Sequence, residues 1–406
     1  MTDLKQNIPE LRFPEFEGEW EEKKLSDLGS YSKSYSFSRD VEGVGKVHHI
    51  HYGDIHSKLP SKISDINLLP TIKESKDFEF LQKGDIIFAD ASEDYKDLGK
   101  AIMVDIDEDN IIAGLHTHVF RPNLQAVSEF LMYYTKTLNY FKFIKRQGTG
   151  ISVLGISKKN LSNFILGLPE YKEQQRIGDF FSKLDRQIEL EEQKLALLEE
   201  QKKGYMQKIF SQELRFKDEN GYDYPKWEIK LFKDFTNTYS GGTPKSTNQA
   251  FYKGDIPFIR SGEIQNSETE LHINEDAITN SSAKLVEKGD LLYALYGATS
   301  GEVAISKIKG AINQAVLCIK TEESKSFLLN YLKYKKENII KTYIQGGQGN
   351  LSARIIKNMS LKLPSFEEQQ KIGDFFSKLD RHIELQGQKI ENLKQRKQGL
   401  LQKMFV

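Results

Sequence analysis

The densest concentration of chemistry-bearing side chains in this 406-residue sequence is histidine. Four of the eight, His48, His49, His51 and His56, crowd one segment, and His116 and His118 alternate in a His-Thr-His run. Alternate positions on one strand face are able to share a metal ion. The second half of the chain, however, carries Phe258, Arg260, Asn313 and Gln314 near the corresponding places, which suits variable recognition better than shared metal chemistry. The histidines are therefore read as structural or as facing nucleic acid, with no metal site. Catalytic signatures are missing too: the sequence has no Gly-x-Ser-x-Gly elbow, phosphate-binding Gly-x-x-x-x-Gly-Lys-Ser/Thr, His-Glu-x-x-His or Asn-Pro-Pro-aromatic motif. The chain is expected to recognise rather than to catalyse.

Two glycine-rich polar loops, RQGTGISVLGISKKNL and QGGQGNLSARIIKNM, offer what recognition needs. Glycine lets backbone approach a partner closely. Gln147, Thr149 and Lys158 in the first loop, and Gln345, Gln348, Asn350 and Arg354 in the second, supply donors for base edges and phosphates. Each loop follows a helical stretch, SEFLMYYTKTLNYFKFI or KSFLLNYLKYKKENII. Short apolar runs bounded by turn residues (DIIFA, AIMVDI and HVF; LLYAL, EVAI and AVLCI) read as strands. The fold class is mixed α/β.

Length argues for two domains or more. A single cysteine, Cys318, excludes an intrachain disulfide framework; the start lacks a signal-peptide core, and no apolar run approaches the ~18 residues of a membrane span. A cytoplasmic protein is expected. Lys plus Arg and Asp plus Glu number 58 each, so a surface for a polyanion must be local.

IGDFFSKLDR occurs at Ile177 to Arg186 and again at Ile372 to Arg381. Around it, Leu168 to Phe210 and Leu363 to Phe405 align without a gap, with about 26 of 43 positions identical. Weaker echoes follow in the same order: Leu-Arg-Phe at Leu11 and at Leu214, each followed by a Trp and a Lys-Leu; KGDIIFA and KGDLLYA; HIHYGDI and FIRSGEI. This divides the chain into a variable domain 1–167, a constant helix 168–210, a variable domain 211–362 and a constant helix 363–406. In the constant helices, Phe181, Ile188, Leu195, Lys202 and Ile209 at heptad position a place Ile177, Leu184, Glu191, Leu198 and Tyr205 at d, and the second copy repeats the pattern. The pattern predicts a coiled coil between the copies. Since a further Leu-Arg-Phe belongs after the second helix and the chain has one at Leu11, that helix is expected to end beside the first domain. The pair is then antiparallel and the molecule a pseudo-twofold repeat with neighbouring termini.

Asp179, Phe180, Lys183, Asp185 and Arg186 fall off the seam yet recur as Asp374, Phe375, Lys378, Asp380 and Arg381. An outward identity between diverged halves points to two copies of one partner. A free-standing two-headed DNA-binding regulator, or a coiled-coil scaffold with two ligand-binding modules, has the same outline.

Two variable domains, each entered by Leu-Arg-Phe and Trp-x-x-x-(Lys)-Leu and left through a Leu-Pro-x-x-x-(Glu)-Gln-Gln-x-x-Ile-(Gly) helix, resemble the specificity subunit of a type I restriction-modification system. The resemblance covers nearly the whole chain. It implies two target recognition domains, each reading half of a bipartite site on double-stranded DNA, with a coiled coil that spaces them. Two modification subunits carrying S-adenosylmethionine dock on the chain, and restriction subunits bring ATP and Mg; the chain itself binds no cofactor. On this basis the first domain is expected to use His49, His51, Tyr52, His116, His118, Gln147, Thr149 and Lys158. The second is expected to use Thr243, Lys245, Arg260, Tyr296, Gln314, Gln345, Gln348, Asn350 and Arg354, with Arg260 suited to guanine and the amides to adenine.

Overall fold

The computed structural model describes residues 7–74, 77–343 and 350–406. The chain forms two compact units, Met1–Glu192 with Gln388–Val406, and Gln193–Gly387. The cuts fall inside two long helices, Tyr171–Phe210 and Phe366–Met404, so each unit contains a head and half of each helix.

In the first unit a five-stranded sheet runs in the order Gly29–Ser32, Thr117–Pro122, Ile86–Ala89, Ala101–Val104 and Lys62–Ile63. A three-stranded sheet places Glu42–Ile50 between Thr71–Ile72 and Ile111–Ala113. The expected apolar runs are the central strands, and Ile86, Ile87, Phe88 and Ala89 are all buried. The second unit repeats the plan: one sheet in the order Asn237–Ser240, Val316–Lys320, Leu291–Ala294 and Val303–Ile305, and a second built around Ile256–Ile259 and Gly310–Ile312. In both units the second sheet contains one parallel pair, Ile50 opposite Ala113 and Ile259 opposite Ile312. The strands at the entrance and exit of each head pair antiparallel, Glu21–Lys24 with Ile165–Leu168 and Glu228–Leu231 with Ser360–Leu363.

The stretch SEFLMYYTKTLNYFKFI, read as one helix, is two, Ser128–Tyr134 and Leu138–Gln147. Thr137 divides them: its hydroxyl accepts from the Tyr140 N–H and caps the second helix.

The repeated Glu-Gln explains how each long helix leaves its head. Glu173 is fully buried and takes a two-point ion pair from Arg12 of Leu-Arg-Phe, at 2.7 and 2.8 Å; Glu368 takes Arg215 in the same way, at 2.6 and 3.1 Å. The next residue joins the chain on both sides: Gln174 accepts from Val127 N–H and donates to the Pro169 carbonyl, and Gln369 accepts from Ser324 N–H and donates to the Pro364 carbonyl. Ser365-x-x-Glu368 has the spacing of a capping box, which forms only in half. Ser365 Oγ accepts from Glu368 N–H, but the Glu368 carboxylate is drawn to Arg215 and the Trp227 indole instead of back to the helix start.

Within each unit the two helix halves run antiparallel. In the first, Lys389 pairs with Glu191 and Lys397 with Asp185; in the second, Lys202 pairs with Asp380. Both seam lysines are thus neutralised by the aspartate of the other copy. Phe181, Ile188, Phe376 and Ile390 are buried as their heptad positions require. The second helix ends against the first head, where Leu11 N–H donates to the Lys403 carbonyl at 2.8 Å, as Leu214 N–H donates to Lys208 at 3.0 Å in the second unit. Among the described residues no helix is long and apolar enough to cross a membrane.

Candidate nucleic-acid interface

In the first unit the strand Glu42–Ile50 delivers His51 and the short helix Tyr52–Ser57, and Thr117–Pro122 begins beside them. Tyr52 sits among three imidazoles, with ring centroids 4.5 Å from His51, 5.5 Å from His56 and 5.2 Å from His116. His51 is buried and caps the short helix, its Nδ1 accepting from Gly53 N–H at 3.1 Å. Burial, followed by the nearby Arg39 guanidinium, pushes its pKa down and keeps the ring neutral. Arg39 in turn is held by Asp54 at 2.8 Å.

His49, expected at the surface, is fully buried, and burial lowers its pKa. Its neighbour Ile50, on the opposite face of the strand, is equally buried, so both faces are covered at this end and alternation alone could not reveal it. His118 is also buried; its Nε2 faces the Ile156 carbonyl at 2.9 Å, and burial again lowers its pKa. His116 is exposed and has a left-handed backbone, φ 54°. Its Nδ1 lies 3.1 Å from Asp90, whose backbone N–H donates to the His116 carbonyl at 3.0 Å.

The loop after Leu138–Gln147 folds back onto this point. Thr149 bridges to Gly155, the strand Leu154–Gly155 pairs with Ala91–Ser92, and Ile156 N–H donates to the Asp90 carbonyl at 2.9 Å. The second unit repeats this closure, with Leu351 N–H donating to the Leu295 carbonyl at 3.1 Å. Thr149 is exposed; Gln147 is half-buried and its carbonyl accepts from Asn160. Lys158 lies 5.7 Å from the Tyr31 ring. The hairpin tip exposes Ile151 and Val153.

In the second unit Arg260 occupies the place of His51, but it is not a free fork. Glu263 holds Nε at 2.9 Å and Glu270 holds a terminal nitrogen at 2.5 Å, and those two carboxylates raise the Arg260 pKa. A two-point contact with guanine through Nε or Nη2 requires the guanidinium to exchange these partners. Thr243 Oγ1 donates to the Gln314 carbonyl oxygen, and both residues are exposed. Tyr296 is half-buried, and burial raises its pKa. Lys245, Asn350 and Arg354 are exposed. Gln345 and Gln348 lie outside the described residues. Among the described residues no group of three or more His, Cys, Asp and Glu side chains is arranged to hold a metal ion.

The off-seam helix residues separate into two classes. Asp179, Lys183, Arg186, Asp374, Lys378 and Arg381 are exposed. Asp185 and Asp380, expected to face outward, instead serve the seam lysines, and Asp185 also accepts from Tyr133 at 2.8 Å. Phe180 and Phe375 pack at the head, 5.8 Å from Phe13 and 5.6 Å from Phe216. A heptad template describes one neighbour, whereas each helix here has two. On the second unit Asp374, Lys378 and Arg381 line a shallow depression of about 450 Å³. On the first, Arg186 lines a cleft of about 860 Å³ with Lys62, Asp105 and Lys394.

The sequence reading missed Asp90, Arg39 and the buried Glu-Gln pairs. The last were legible as the repeated Glu-Gln-Gln beside a repeated Leu-Arg-Phe; the first two gave no signal, because their partners are distant in sequence.

A family model described as the type I restriction modification DNA specificity domain matches the chain twice, over residues 17–200 and 224–395. The type I restriction enzyme MjaVIII specificity subunit of Methanocaldococcus jannaschii is 23% identical over 416 residues, covering 96% of this chain and 92% of its own. The HindI specificity subunit of Haemophilus influenzae is 24% identical over 442 residues, covering 89% and 94%. The fold is similar to that of a type I restriction-modification S subunit from M. genitalium, with TM-score 0.62 and 16% identity over 98% of this chain and 99% of that one. A type I R-M system structure solved for complex assembly and conformational transition gives TM-score 0.57 and 18% identity, covering 94% and 96%.

Proposed function

Because this chain belongs to the type I restriction modification DNA specificity family, and is thus a non-catalytic, DNA-recognising specificity subunit, we propose that each head reads one half of a bipartite site on double-stranded DNA. The observation that carries this is the double match, each covering one head and most of the helix that follows it. Two diverged heads on a common frame suit an asymmetric site: the frame residues Arg12, Glu173 and Gln174 recur as Arg215, Glu368 and Gln369, while the loop residues differ. The reading surfaces are the Tyr52 and His116 end of the first head and the Thr243 and Gln314 end of the second. The long helices set the unread spacer. Two modification subunits dock on the repeated exposed residues Asp179, Lys183 and Arg186, and Asp374, Lys378 and Arg381. S-adenosylmethionine belongs to those partners, and ATP and Mg to restriction subunits, in the cytoplasm.

Neutral overall charge fits an assembly in which the partners help enclose the duplex and basic side chains are needed only locally. The test is selection of bound random duplexes by the purified chain with its methyltransferase partner. Two short conserved half-sites at a fixed separation are expected. A single contiguous site, or methyl transfer by the chain alone, overturns the reading.

A further inference from the structure

One carboxylate in the first head is placed to decide which hydrogen-bonding face a histidine shows to a partner. Asp90 lies between two imidazoles, 3.1 Å from His116 Nδ1 and 3.5 Å from His118 Nδ1. The two rings are not equivalent. His118 is buried and its Nε2 lies 2.9 Å from the Ile156 carbonyl, an oxygen that only accepts. A neutral His118 therefore carries its proton on Nε2 and has none to give Asp90. The histidine that donates to Asp90 is His116, through Nδ1–H.

The backbone fixes the same residue. His116 adopts φ 54°, and its carbonyl accepts from Asp90 N–H at 3.0 Å, so Asp90 holds both the main chain and the ring. Tyr52 supports the ring edge-on at 5.2 Å. The side chain is nonetheless 46% exposed. A left-handed non-glycine residue, clamped at two points and exposed, is a conformation whose cost the surroundings must maintain.

With Nδ1–H committed to Asp90, a neutral His116 presents Nε2 as a bare lone pair. In the major groove only adenine N6 and cytosine N4 offer a donor to such an acceptor; guanine and thymine offer acceptors. Resting on the reading of this head as a DNA reader, we propose that Asp90 is a positioning residue that fixes the tautomer of His116, so that this head selects an amino-bearing base, adenine or cytosine, at one position of its half-site. The second head shows the opposite polarity on the corresponding loop. Gln314 uses its carbonyl oxygen to accept from Thr243, which leaves its amide N–H groups to donate.

The full chain, assembled with its methyltransferase partner, is presented with random-sequence duplex DNA, and the bound pool is sequenced for the wild type, His116→Ala and Asp90→Ala. One position in one half-site is expected to select adenine or cytosine, and both variants relax that same position by about fivefold or more. The inference is overturned if His116→Ala relaxes a position that Asp90→Ala leaves intact, or if the position selects guanine or thymine. Intact half-sites unaffected by His116→Ala overturn this inference alone, whereas a wild-type complex that selects no sequence overturns the DNA-reading function itself. Should the Asp90 variant fail to assemble, nitrogen NMR of histidine-labelled wild type decides. The His116 signals, assigned by their loss in His116→Ala, are expected to show a protonated Nδ1 and a bare Nε2, and the reverse tautomer refutes the proposal.

Discussion

Lys136 stands where the first head meets the helix pair, donating to Ser61 Oγ at 2.6 Å. Burial, and then the neighbouring Lys397, pull its pKa from 10.5 down to about 8, with Asp185 opposing. Between about pH 8 and 10.5 the unfolded chain keeps a proton that the folded chain has released, so stability rises with pH across that window. Urea denaturation of the first unit is expected to show a gain of about 1–3 kcal/mol from pH 7 to about pH 10, and Lys136→Met should abolish it. A rise that survives the substitution assigns the effect to another group. Little at this scale was legible in the sequence. Arg260 was read as a free fork although Glu263 stands three residues on, because sequence shows that a carboxylate is near without showing that it is engaged. Asp185 was read as outward because its two partners, Tyr133 and Lys397, come from elements far along the chain.

At the scale of elements, the long helices were the most legible part, since a 3.5-residue period survives translation into structure without knowledge of anything else. Where a helix touches a third element, the period is silent. Gly178 is such a place: a Cβ there would lie 2.7 Å from Glu129 Cβ, and at Gly373 3.0 Å from Ser326 Cβ. Glycine at these sites permits close approach of the long helix to its head. Gly178→Ala is expected to cost about 1–3 kcal/mol despite alanine's better helix propensity, read as a lowered midpoint for the first unit; an unchanged or raised midpoint refutes the packing argument. Docking is testable on the outer face without disturbing the seam. Reversing Lys183 and Arg186 to Glu should remove one methyltransferase subunit, and adding Lys378→Glu and Arg381→Glu should remove the second. Arg186 and Arg381 each make a surface pair, with Glu189 and Glu384 respectively, worth little to stability. Native mass measurement showing the full complement on the fourfold variant rejects this face as the dock.

For the whole molecule, the sequence conveyed the order of parts because duplication is visible as repetition. It did not convey the head interiors, where strands such as Gly29–Ser32 and Thr117–Pro122 pair across long separations. If the helices set the spacer, inserting one heptad after Glu192 and one after Gly387 preserves the seam and adds ~10 Å, about three base pairs of rise. Sequencing the methylated sites of cells carrying this variant should show unchanged half-sites at a longer separation; an unchanged separation means that the partners position the heads. The paired contacts of Leu11 with Lys403 and of Leu214 with Lys208 carry a different consequence. Val406, position 9 and Glu10 would take the places of Ser211, Gln212 and Glu213; since Gln212 has φ 66° and donates its N–H to the Ile209 carbonyl, neither of which proline allows, the equivalent link needs Pro9→Gln. The covalent order of the two halves is therefore arbitrary to the fold. A circular permutant that joins Val406 to position 9, carries Pro9→Gln and opens between Ser211 and Gln212 should fold, exchange which half is made first, and leave the DNA sequence it selects unchanged.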